Sequence, residues 1–132
     1  MSDTIEQAIA SLNNETLSEQ EREKAILHLE EAATPQAIET LIGALRDRDS
    51  GVRWAASQAL ARLGEPAVRP LLLALTKPNT DLFFIETARH VFVNNSNERV
   101  KQRTKDLVAA THKVGAQVLV MQEANRLLIQ GV

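Results

Sequence analysis

A nine-residue pattern recurs along this chain and constrains its fold more than any other feature. Residues 37–45 read AIETLIGAL, residues 67–75 read AVRPLLLAL, and TIEQAIASL at 4–12 has the same apolar spacing. Each copy is followed by a short polar break and a second amphipathic segment, at 19–33, 50–63 and 81–94. In the middle segment Val52, Ala56, Ala59, Leu60 and Leu63 recur at the three- and four-residue steps of one helical face. Ala25, Leu29 and Ala32 hold the matching places before it, and Phe84, Ala88, Val91 and Phe92 after it. A pair of helices every thirty residues or so buries its apolar faces by stacking on its neighbours, which makes an α-solenoid.

The boundary residues agree with this period. Thr4 with Gln7 and Ser18 with Glu21 have capping-box spacing. Thr34-Pro35 places an N-cap before a proline at the first helical position, where its missing N–H costs nothing. Gly64 stands where a left-handed C-cap belongs, and KPNTD at 77–81 breaks one helix and caps the next. No stretch alternates as a strand does. The expected fold is all-α: one domain over residues 1–132, an α-solenoid of about four antiparallel helix pairs. The repeats fall at about 4–33, 34–64, 65–95 and, in degenerate form, 96–132. In the last of these Val100, Thr104, Leu107, Thr111, Val114, Val118, Met121, Asn125 and Leu128 alternate in steps of four and three, like a coiled-coil seam. Two readings fit this stripe. One is a fourth pair broken near Gly115; the other is a single long helix that caps the solenoid or pairs with a second chain.

Residues 35–64, PQAIETLIGALRDRDSGVRWAASQALARLG, resemble a HEAT-like repeat of the short bacterial kind also seen in phycobilisome lyases. The matching positions are Leu41, Leu45, Asp47, Asp49, Val52, Arg53, Ala56, Ala59, Leu60, Leu63 and Gly64. Residues 4–33 and 65–95 follow the pattern more loosely. The resemblance implies an armadillo-like superhelix in which turn aspartates and second-helix arginines form a polar ladder between repeats. Asp49, Arg53 and Arg22 take those places here, and Phe84-Ile85 interrupts the ladder in the third copy. It also implies a concave surface, lined by the second helices, where partners sit.

Composition narrows the function classes. With no cysteine there is neither a disulfide framework nor a thiolate ligand or nucleophile. The start, MSDTIEQAIA, has no basic n-region, and no segment approaches the roughly 18 apolar residues of a membrane span. A cytoplasmic protein with no membrane partner is the expectation. His28, His90 and His112 lie in different segments without metal-motif spacing, so neither a metal nor a cofactor is expected. Glu86 and His90, four apart, read as a surface pair. No nucleophile–base set and no glycine-rich phosphate loop is present, so the chain does not read as an enzyme. Arg99, Lys101, Arg103 and Lys105 flank the apolar stripe on both sides and form no single basic face, which argues against nucleic acid. Residues 1–66 carry 12 acids and 6 bases, and residues 67–132 carry 5 and 9. Such ends suit head-to-tail association or a bipolar partner, and equally suit helix faces that are simply solvated. The oligomeric expectation is a monomer or a weak, salt-sensitive homodimer through the C-terminal helices.

A binding module remains. Trp54 is the only Trp in a chain without Tyr, and it projects from the side of its helix opposite the core stripe. One repeat on, the places of Trp54 and Gln58 are held by Glu86 and His90; one repeat back, by Glu23 and Leu27. These six residues form one expected patch, with the indole as anchor for a basic or amphipathic peptide of a partner protein; the competing reading lays Trp54 half-buried on a neighbouring helix, its N–H bonded locally. The alternative is an accessory subunit of an enzyme, such as a tetrapyrrole lyase.

Overall fold

The computed structural model describes residues 3–78 and 80–131, with side chains from residue 5 onward. Among these residues all regular structure is helical: α1 (Asp3–Leu12), α2 (Glu19–Ala32), α3 (Pro35–Ala44), α4 (Ser50–Leu63), α5 (Val68–Leu75), α6 (Leu82–Val93), α7 (Glu98–Arg103), α8 (Lys105–Ala110) and α9 (Ala116–Ile129). A short 3-10 turn, Glu65–Ala67, leads into α5. The first six helices make three pairs. α1 packs on α3 and α3 on α5, while α2 packs on α4 and α4 on α6, so first helices and second helices form two layers.

Sequence causes most of these ends. Ser18 and Glu21 form a full capping box, each satisfying a free N–H of the other's backbone. The Thr34 hydroxyl accepts from Ala37 N, with Pro35 at the first helical position. Asp81 caps α6 by accepting from Phe84 N at 2.7 Å. The Thr4 side chain lies outside the described residues. Gly64 ends α4 with φ 78° and ψ −132°, a positive φ but an extended ψ rather than the left-handed helical cap expected. That region is essentially closed to residues with a Cβ.

Small residues recur at the same place in each second helix. Ala25, Ala56 and Ala88, the seventh residues of α2, α4 and α6, are all buried. Leu29, Leu60 and Phe92, four residues on, are buried on the same helical face.

The final segment is a broken pair and not one long helix. α7 and α8 are nearly continuous: the backbone bonds Thr104 N to Val100 O and Val108 N to Thr104 O carry across the break. The buried Thr104 hydroxyl also donates to the Val100 carbonyl at 2.7 Å, a back-bond that bends helices. Gly115, left-handed at φ 78° and ψ 25°, turns the chain into α9. The order of layers then reverses. α9 packs chiefly on α5 and α8, whereas α7 and α8 meet α6. The stripe at 100–128 is therefore divided: Val100, Thr104 and Leu107 are buried, while Val114, Val118 and Asn125 face outward.

Candidate functional site

Polar side chains fix the second helices in place. Arg22, the fourth residue of α2, is buried and donates to the Leu12 carbonyl at the end of α1, at 2.7 and 2.9 Å. Its guanidinium also forms a two-pronged ion pair with Asp47 in the turn between α3 and α4. Burial pushes the Asp47 carboxyl up, but the Arg22 hydrogen bond, the Asp49 N–H and the charges of Arg22 and Arg53 outweigh it. The net result holds Asp47 below its ordinary range.

Two ladder assignments made from sequence are corrected here. Asp49 is the N-cap of α4, accepting from Gly51 N and Val52 N, so its carboxylate is occupied with its own helix and Asp47 takes the ladder role. Among the described residues Arg53 pairs with no aspartate carboxylate; it donates to the carbonyls of Asp47 and Arg48 at 2.7 and 3.3 Å. In the third copy, where Ile85 replaces arginine, aromatic contacts stand in. Arg46 lies 3.7 Å over the ring of buried Phe84, and Arg53 lies 5.7 Å from the Phe83 ring centroid. Cation–π attraction links this turn to α6 where the salt bridge has lapsed.

The six residues expected to share a patch all lie on α2, α4 and α6. Glu23, Leu27 and Gln58 line one groove of about 320 Å³ between α2 and α4, together with Ile26, Ala55 and Arg62. Trp54 is 51% exposed and meets His90 edge to face, with ring centroids 5.6 Å apart. Glu86 lies 3.7 Å from the His90 imidazole and is bonded to Arg89. That hydrogen bond holds the Glu86 carboxyl below its ordinary range. Among the described residues, no three of His, Asp and Glu gather as a metal site requires.

The surface is less acidic than Glu23 and Glu86 suggest in sequence. Glu86 is committed to Arg89, and nearby Glu30 to Arg62 through bonds of 2.6 and 2.9 Å. It is also more apolar. Leu27 is 57% exposed, and Phe83, three residues before Glu86 on α6, is 73% exposed. Phe83 is the residue that sequence reasoning missed. The ladder comparison drew attention to Phe84-Ile85, although the spacing 83, 86, 90 places Phe83 on the face of Glu86 and His90.

Stacked helix pairs with a two-layer order, and a face built from successive second helices, define a repeat scaffold. The family model for HEAT repeats matches residues 5–91, and the chain belongs to the HEAT-repeat family. Members of this family are generally protein-interaction scaffolds. Neither the curated proteins nor the solved structures contain a match to this chain. No helix among the described residues is long and apolar enough to cross a membrane.

Proposed function

We propose that this chain is a non-catalytic interaction module that binds a segment of a partner protein across α2, α4 and α6. Trp54 carries the reading. A large aromatic held half-exposed by an edge-on His90, beside a groove and exposed Leu27 and Phe83, is the arrangement of an interface anchor. With two acids of the face already paired to arginines, an amphipathic segment fits better than a simply basic one. Its apolar side covers Leu27, Trp54 and Phe83, and its polar side meets the Glu30–Arg62 and Glu86–Arg89 pairs at the rim.

The test is capture of partners from the native cell by the wild-type chain and by Trp54→Ala, with Trp54 emission followed during titration of whatever is captured. Loss of capture in the variant, with a wild-type emission shift on binding, supports the reading. A partner held equally by both places the interface elsewhere. The accessory-lyase alternative is separated by an absorbance scan with a linear tetrapyrrole, in which a shifted spectrum would favour it.

A further inference from the structure

The outer face of α9 carries no charge. Its exposed positions are Gln117, Val118, Gln122, Asn125 and Ile129, in a chain of which 24% is Asp, Glu, Lys or Arg. The two charged residues of α9, Glu123 and Arg126, lie beside this strip and are bonded to each other at 2.9 Å, with the Arg126 side chain 39% exposed and also reaching Asp106 at 3.8 Å. α2, another 14-residue helix, instead exposes Glu19, Glu21, Lys24 and Glu31. Val118 and Ile129 are 53% and 87% exposed. Val118, Gln122, Asn125 and Ile129 follow one another at steps of four, three and four, the spacing by which one helix offers a seam to another.

Charge depletion of this kind marks the core of an interface. We infer that α9 is a homotypic contact, pairing with α9 of a second copy about a two-fold axis. In such an interface one patch serves both sides, so it must be complementary to itself. A charged face meets like charge when it meets its own copy, whereas this face does not. Val118 and Ile129 bury against apolar groups, and the amides of Gln117, Gln122 and Asn125 each offer both donors and acceptors to their counterparts. An acidic or basic partner finds no complement here. The occupant thus differs from the head-to-tail neighbour that the opposite charges of the two halves suggest. A 14-residue helix is about 21 Å long, and one such contact falls short of the roughly 1,200 Å² of a stable interface. The dimer is therefore weak and reversible. It uses none of the residues of the α2–α4–α6 face.

Sedimentation equilibrium of the full chain over a wide concentration range, at low and high salt, tests this, alongside Val118→Glu and Ile129→Glu. The expected result is a monomer–dimer equilibrium that high salt leaves intact or strengthens. Either glutamate raises the dimer Kd by about ten-fold or more, since a charge is desolvated against its own copy. Melting curves of both variants stay close to wild type because the positions are exposed; should one fail to fold, the other carries the test. A chain that is monomeric at every concentration overturns the proposal, and so excludes a second copy in favour of another uncharged helix. A dimer that salt dissolves and both glutamates spare overturns it too, and belongs to the oppositely charged ends.

Discussion

Trp54 and Asp47 act in opposite senses, one turned to solvent and the other fastening the interior. Because Trp54 is half-exposed, its truncation to Ala removes little buried contact. Thermal melts should show a loss under about 1 kcal/mol, against about 3–5 kcal/mol for a core Trp. With no Tyr in the chain, its emission and acrylamide quenching report this one site. Asp47 is held below its ordinary range in the folded state, so its contribution is fully present above the unfolded value of about 4 and is lost as pH falls below it. Asp47→Asn should therefore lower stability by about 1–3 kcal/mol at pH 7, because Arg22 loses a charged partner. The variant's melting temperature should also fall less than wild type's between about pH 5 and 3. Parallel acid profiles for the two proteins would remove the ion pair as the cause.

At the scale of helices and turns, two residues with positive φ invite opposite substitutions. Ala33 caps α2 in the left-handed conformation at φ 53°, which a Cβ disfavours. Ala33→Gly should stabilise by up to about 1 kcal/mol. Gly64→Ala should destabilise by about 1–3 kcal/mol, since its φ is strained for alanine and a Cβ would stand 2.8 Å from the Ser96 hydroxyl oxygen. That hydroxyl itself donates to the Arg62 carbonyl, and Asn95 donates to that of Gly64, so the loop after α6 is tied to the end of α4. Equilibrium denaturation of both variants checks the signs. The Ser18 and Thr34 caps, the helix faces and the repeated alanines were legible in sequence because each depends on spacing within one helix. The ladder acid was not, since Asp47 and Asp49 are two residues apart and turn geometry decides which one reaches Arg22. Nor was the reversal of α9, because periodicity tells which residues share a face but not which neighbour meets it. Phe83 was missed for a related reason: aromatic character reads as core until a register places it outside.

Taken as a whole, the molecule stacks its pairs in a row, and each pair depends on the next. That the six residues fall on successive second helices was legible, because equal repeats carry equal positions along the array; that a partner binds there is the proposal made above, since a face shows chemistry and not identity. The Arg22–Asp47 bridge has a further consequence, for cooperativity. A solenoid behaves as a one-dimensional chain of units whose joint unfolding is enforced only by nearest-neighbour coupling. The coupling of the first pair to the second includes an acid-labile carboxylate, whereas that of the second to the third includes arginines on phenylalanine rings, contacts that contain no carboxylate. Lowering pH therefore weakens one link of the array selectively. Hydrogen exchange followed into mild acid should show α1 and α2 opening before α3 to α6, and Asp47→Asn should show the same order already at neutral pH. Loss of protection at one common pH along the whole chain would mean that the remaining contacts couple the first pair as tightly as the rest. If the order holds, this protein unzips from its N-terminal end in acid, with Trp54 still seated on α4 as its witness.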